Sequence, residues 1–589
     1  MLVFRLVIPF LLLLNFVVSH KICANEDDDQ KLMNESRRIQ RAIATRQAQR
    51  NETFRQIRKT YILDNAAKKI LEIPAMDLIQ KLQTRSLNAT EVLQAYLAQA
   101  ISIQYKFNCI TEFVPFAMET AQKLDKQPTV QGPLHGVPIC VKDDQDVIGM
   151  DTTLGLGKNL NIPASSNSVI VQSLLDLGAV VFCKTNVPQT LFSYSNNNPI
   201  YGETLNTRNV RLAPGGSSTG SGSLISGGGG VFATGSDFGG SLRIPAHFSG
   251  ICSLKPTRKR LSDKGMLQIL PKAVGCMFPP FHASIPGVLA KDADTIAYVF
   301  RAMLTDAQQN DYDPKVVPIP WNEKLFKSTR PLKFGYYTSL SFFPAIGDTI
   351  STVLNCKKEL EKLGHIFVPF EIENDWDITK KMFDVLAVDY GPKSHLKKLF
   401  ENEPVAKGLE TLRSMCGRPD WRRQLDSILS NVSRSGHPKY SARDTLLAQA
   451  GISQYRDRDV WDMIYWKKEL TSKFLRQMQE ADMDLILAPV FPFPACRVND
   501  PGPLFGATVY TFIWSYLNFP AGVVPFGTET GQNIDSYDDE GDALLKLAKE
   551  SIKESIGSPI GVQIIGKPFK EELVLRAMTE LHNKIKSNK

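Results

Sequence analysis

The sequence predicts an α/β fold built on one large sheet. The first sign is a rhythm in which short, continuously apolar runs, GVPICVKD, AVVFCKT and FATGSD, alternate with helical or glycine-rich pieces such as SVIVQSLLDLG. Runs of that length read as buried strands, and strands alternating with helices indicate α/β. The second sign is that strand-like runs return far along the chain, in MDLILAPV, FPAGVVPF and PIGVQIIG, so the sheet draws on both ends of the sequence and cannot be cut simply in two. The third is composition: 43% hydrophobic and 22% charged residues are ordinary globular values. A packed core is therefore affordable in a chain whose 589 residues exceed the roughly 250 to 300 at which single cores stop growing.

In chain order, Met1 to Arg5 followed by the uncharged run Leu6 to Ser19 has the form of a secretory signal. The run falls short of the ~20 apolar residues of a bilayer crossing, so residues 1–24 are either a cleaved signal or a marginal anchor. Either directs the chain to the endoplasmic reticulum or another endomembrane, membrane-associated if anchored and luminal or secreted if cleaved. Sequons at Asn34, Asn51, Asn88 and Asn431 would accept glycans in a lumen. Residues 25–72 hold the acidic run Glu26 to Asp29 and an Arg- and Gln-rich segment from Arg37 to Lys59, expected as a polar helical tether. The main domain spans 73–585. It opens with IPAMDLIQKLQ and ATEVLQAYLAQAI, apolar at helical spacing, with Asn88 to Thr90 as an N-terminal cap for the second.

Several functional classes are disfavoured. The net charge of +8 is modest and no basic stripe is interleaved with aromatics, so a nucleic-acid partner is not expected. The nine cysteines form no CxxC pair and the eight histidines no HExxH or HxH cluster, so buried free thiols are expected and no metal or other cofactor.

The stretch Pro214 to Gly240, PGGSSTGSGSLISGGGGVFATGSDFGG, reads best as backbone packed closely around reacting atoms. A flexible linker has no reason to hold Leu224, Ile225, Val231 and Phe232, and a phosphate loop would need a lysine that the stretch lacks. A nucleophile elbow matches literally at Gly216, Ser218 and Gly220 but follows the polar RNVRLAP rather than a buried strand. The sharpest part is GSDFGGSLRIP: Phe238, Gly239 and Gly240 precede Ser241, so successive backbone N–H groups around Ser241 can face an oxyanion when its hydroxyl attacks a carbonyl. A serine needs a base. The nearest histidine, His247, reads as a satisfied structural residue. Lys142 ends the apolar strand GVPICV, and is either a base made neutral by burial or a lysine at a strand exit paired with Asp143 or Asp144.

Three segments, GVPICVKD, APGGSSTGSGSLISGG and GSDFGGSLRIPAHFSGICSLKPT, occur in order across Gly136 to Thr257 and resemble the amidase signature family. NVPQTLFSYSNNNPIYG and RPLKFGYY are similar to the fatty acid amide hydrolases within it. The resemblance implies a large mixed β-sheet covered by helices on both faces. It also implies a Ser-Ser-Lys triad with Lys142 as base, Ser217 as a bridging serine held by a cis peptide, and Ser241 as nucleophile. By the same matching, Leu191, Phe192, Ser193 and Tyr194 face the substrate, although Leu191 and Phe192 alone would equally read as core. The implied activity is hydrolysis of fatty acid amides through an acyl-enzyme, with small non-lipid amides or esters as the alternative. Expected partners are the lipid amide, a membrane surface and, as an option, a second copy of the chain. One departure is that the region of the family's apolar cap, here near 390–440, is heavily charged. Trp421, Leu425, Ile428 and Leu429 share a helical face that meets either a bilayer or the domain itself.

Overall fold

The computed structural model describes residues 26–268, 284–305, 309–387, 395–410, 413, 441–449 and 457–587. The expected leader at 1–24, the sequon at Asn431 and the helical face from Trp421 to Leu429 lie outside the described residues. Within them, eleven strands form one sheet: β1 Ile110–Phe113, β2 Pro138–Lys142, β3 Val180–Thr185, β4 Phe232–Asp237, β5 Cys252–Lys255, β6 Ile285–Ala290, β7 Lys333–Tyr336, β8 Ile366–Pro369, β9 Leu485–Pro489, β10 Ala521–Thr528 and β11 Pro559–Gly566. Their order is β1-β3-β2-β4-β6-β5-β10-β11-β9-β7-β8. The sheet is mixed: β3, β2 and β4 run parallel, as do β9, β7 and β8, and the remaining pairs are antiparallel. All six apolar runs singled out in the sequence are strands.

Alternation along the central strands divides the core in two. Leu485 and Leu487 of β9 and Val562 and Ile564 of β11 join one apolar cluster, whereas Ile486, Ala488 and Ile565 join another. Successive strand side chains point to opposite faces, so both faces are covered. The first receives the helices Ala89–Phe107, Ala293–Thr305, Thr349–Glu361 and Glu571–Ser587, the second Asp375–Ala387, Asp457–Glu480, Val509–Tyr516 and Ala543–Ile552. Asn88 caps Ala89–Phe107 as expected, its side chain accepting the Glu91 N–H at 2.8 Å. The described cysteines, Cys109, Cys140, Cys183, Cys252, Cys356 and Cys496, are buried free thiols.

The expected polar tether is corrected. Glu26–Thr60 is a single helix, but Ile39, Ala42, Ile43 and Phe54 are buried, and two arginines fasten it to the edge strand β1. Arg46 pairs with Glu112 at 2.6 Å and Asp151 at 2.7 Å. Arg50 donates to the carbonyls of Ile110 and Thr111 and lies over the Phe54 ring at 4.7 Å. A sheet edge presents unpaired backbone groups, and here a guanidinium takes them. Asn34, Asn51 and Asn88 are exposed, and no helix among the described residues is long and apolar enough to cross a membrane. Replacing Arg50 by Met, which keeps the aliphatic stem but orphans those carbonyls, is expected to destabilise the protein by about 2 kcal/mol, read as a lower urea midpoint; an unchanged midpoint would mean that the helix does not depend on this contact.

Candidate active site

The parallel pairing of β2 with β4, Ile139 beside Phe232 and Cys140 beside Ala233, brings the carboxyl ends of two central strands together. Crevices at such ends are where open α/β sheets place their ligands. Lys142 closes β2 and is wholly buried. Its Nζ lies 2.9 Å from Ser217 Oγ and 2.8 Å from Ser236 Oγ, with the Ser236 carbonyl at 3.4 Å and Asp144 Oδ2 at 3.5 Å. Burial pulls the Lys142 pKa below the ordinary lysine value, against the opposing pull of the Asp144 and Asp237 carboxylates. Asp143 is not its partner: that carboxylate pairs with Lys184 at 2.9 Å. Lys255 is also buried and pushed down to about 7 by desolvation, but its Nζ donates to the Pro256 carbonyl and makes no hydrogen bond to a serine among the described residues.

Ser217 lies just before the helix Thr219–Ser226, and the Gly216–Ser217 peptide is cis. The helix backbone sits hard against its neighbours: a Cβ at Gly220 would come within 2.3 Å of Asn186 N and Cys109 O, so a side chain there has no room. Ser218, the literal elbow serine, is buried and donates through Oγ to the Ser236 carbonyl at 3.2 Å. Its N–H donates to the carbonyl of Ser241 at 3.1 Å, tying the two serine segments together. No hydrogen bond joins Ser217 Oγ to Ser241 Oγ, but both residues line one cavity.

The loop before Ser241 is set by Asp237, the last residue of β4. Its carboxylate accepts from Gly240 N at 2.7 Å, Leu242 N at 3.2 Å, Arg243 Nε at 3.0 Å and Ser515 Oγ at 3.0 Å. Burial alone would raise its pKa, but the Arg243 guanidinium outweighs that and holds the carboxyl down to about 2. This corrects the expectation that Gly240 offers its N–H to an oxyanion, because the carboxylate already takes it. The amides of Gly239 and Ser241 have no protein acceptor among the described residues. Gly240 itself has φ +136°, and a Cβ there would stand 2.2 Å from Thr511 Oγ1.

The cavity encloses about 50 Å³. Leu191, Phe192, Ser193 and Tyr194 all line it, as do Phe238 and Gly239. The open choice between site and core resolves to both: Leu191 also packs with Leu154, Leu156 and Val187, and Tyr194 is buried with its hydroxyl on the Leu504 carbonyl. The opposite wall is Phe505, Thr508 and Phe512; PLFGATVYTFIWSY is mostly apolar, with Thr508, Thr511 and Ser515 scattered through it, and carries no sign of which side meets a cavity. Phe505 stacks on Phe192 and Phe512 on Phe238. His247 is structural as expected. Its Nδ1 accepts from Gly561 N and its Nε2 faces the Phe493 carbonyl, and burial pushes its pKa down to about 4, leaving a neutral ring.

Gly240→Ala is expected to displace the Gly239–Ser241 backbone and reduce activity by on the order of a hundredfold or more, the scale of losing one oxyanion donor. Steady-state kinetics on a soluble anilide would check this, and a variant with wild-type kcat would show that the loop tolerates the added carbon.

The Amidase family profile matches residues 91–575. The chain is 33% identical over 561 residues to "Fatty-acid amide hydrolase 1" of Sus scrofa, covering 93% of each, and 33% identical over 521 residues to "Fatty acid amide hydrolase 1" of Caenorhabditis elegans, covering 86% of each. A solved structure of "Fatty acid amide hydrolase" superimposes with a TM-score of 0.74 at 21% identity over 94% of this chain and 95% of that one. The mixed sheet, the serines gathered at the ends of β2 and β4 and these near full-length likenesses lead to one conclusion: the chain belongs to the amidase family, and is a hydrolase of amide C–N bonds.

Proposed function

We propose that the protein is a serine amidase of fatty acid amides, working through a Ser-Ser-Lys triad of Ser241, Ser217 and Lys142. The observation that carries the triad is the fully buried Lys142 amine held 2.9 Å from Ser217 Oγ, with Ser217 and Ser241 on the same cavity. Neutral Lys142 takes the proton of Ser217 as Ser217 takes that of Ser241, and Ser241 Oγ bonds to the amide carbon. The amides of Gly239 and Ser241 donate to the oxyanion. As the C–N bond breaks, the relay returns a proton to the leaving amine, which matters because an amine anion is a very poor leaving group. Water then enters, gives a proton to the relay and cleaves the acyl-enzyme. The Ser217 to Ser241 link closes when substrate fills the cavity, since catalytic hydrogen bonds commonly tighten only in the complex.

The fatty character of the acyl group rests on the apolar walls, Leu191, Phe192, Phe238, Ile244, Phe505 and Phe512, and on the two relatives named for such amides. Such substrates partition into bilayers, so the reading includes access from a membrane surface. A second reading, small soluble amides, is favoured by the cavity of about 50 Å³, which is far below the roughly 300 to 1,000 Å³ of drug-sized ligand sites.

Three measurements test these readings. A fluorophosphonate probe is expected to label the wild type and not Ser241→Ala, and equal labelling would remove Ser241 as nucleophile. Because the base acts neutral and burial lowers its pKa, kcat is expected to rise with pH to a plateau reached below the ordinary lysine pKa of ~10.4; no such limb would remove Lys142. Along an acyl series from acetyl to oleoyl amides, kcat/KM is expected to rise with chain length. Values that are flat or that fall would favour the small-amide reading.

A further inference from the structure

We propose that Asp144, acting through the hydroxyl of Ser236, is a positioning residue that aims the lone pair of Lys142 at Ser217. The inference rests on Lys142 being the base. Ser236 Oγ lies 2.8 Å from Lys142 Nζ, and its hydroxyl donates to Asp144 Oδ2. A serine hydroxyl has one proton and two lone pairs. With the proton given to the carboxylate, Ser236 offers Lys142 only an acceptor.

A neutral amine has two N–H groups and one lone pair. One N–H is taken by Ser236 Oγ, and the second faces the Ser236 carbonyl at 3.4 Å and Asp144 Oδ2 at 3.5 Å. The direction left, toward Ser217 Oγ at 2.9 Å, belongs to the lone pair, where a base must receive its proton. A Ser236 free to turn its own proton to Nζ would occupy that lone pair and idle the base. The Asp144 carboxylate serves only this pair among the described residues: Oδ2 takes the Ser236 hydroxyl and lies 3.5 Å from Lys142 Nζ, while Oδ1 is buried and has no hydrogen-bond partner. Asp143, its chain neighbour, is already held by Lys184 and Thr153. The other carboxylate bearing on Lys142, Asp237 at the end of β4, is engaged by Arg243.

The test uses full-length Asp144→Asn, Ser236→Ala, Ser236→Thr and Asp144→Asn/Ser236→Ala proteins, with decanoyl p-nitroanilide as substrate and melting temperature as a folding control. Both single removals are expected to lower kcat by on the order of ten- to a hundredfold at little change in KM, and Ser236→Thr, which keeps the hydroxyl, is expected to recover most of it. The double variant should be no slower than the slower single, because the two residues act as one unit. In Asp144→Asn the alkaline rise of kcat should move to lower pH, since removing an anion beside an ammonium favours its neutral form. If Asp144→Asn and Ser236→Ala keep wild-type kcat and pH limb while Lys142→Ala and Ser241→Ala are inactive, this inference is overturned and the triad stands. If a well-folded Ser236→Thr falls as far as Ser236→Ala, it is likewise overturned. An active Ser241→Ala would overturn the triad on which it rests.

Discussion

Withdrawing the amine of Lys142 from water is the constraint around which the site is arranged. A buried ammonium without compensation costs several kcal/mol, and the protein meets this by lowering the pKa through burial while surrounding Nζ with oxygens. That arrangement requires β2 and β4 to be parallel neighbours, because only then do both strands deliver their last residues to the same place. The mixed order of the sheet, with β4 turning to an antiparallel partner in β6, follows as the way the rest of the chain closes around that pair.

The second rigid point is the Asp237–Arg243 pair. It is fully buried and tied in turn to Ser515 and to Gln563 of β11, so the loop carrying Ser241 is held from its own strand, the following helix and the far side of the sheet. Removing one partner of such a pair leaves an uncompensated buried charge. The geometry of the Gly239 and Ser241 amides is thereby coupled to the stability of the domain.

Much of this was legible in the sequence because it depends on local pattern. Continuous apolar runs marked β2, β3, β4, β9, β10 and β11, and Lys142 stood out as a charge at the end of one of them. Ser241 stood out after two glycines. What was not legible depends on direction in space. Arg46 and Arg50 look solvated in a charged helix until β1 is set beside them. Asp143 and Asp144 are equivalent by sequence position, yet one serves Lys184 and the other Ser236. Gly240 counted as a donor because a run of amides does not reveal which of them a carboxylate already holds. The cavity wall from Phe505 to Phe512 mixes apolar residues with Thr508 and Thr511 in no periodic pattern, so its inner face carries no mark.

The end of β4 sets two adjacent residues to different work. Ser236 reaches the amine of Lys142, and Asp237, turned the other way, pins the Ser241 loop. A strand slipped by a single residue would exchange the two faces, setting either Asp237 or Gly235 where Ser236 meets the lysine and taking the carboxylate away from Arg243 and the Ser241 loop, and both halves of the site would fail together. An insertion or deletion within the strand or its loop would therefore undo the site, and the spacing between Ser236 and Ser241 is as much a part of it as the residues themselves.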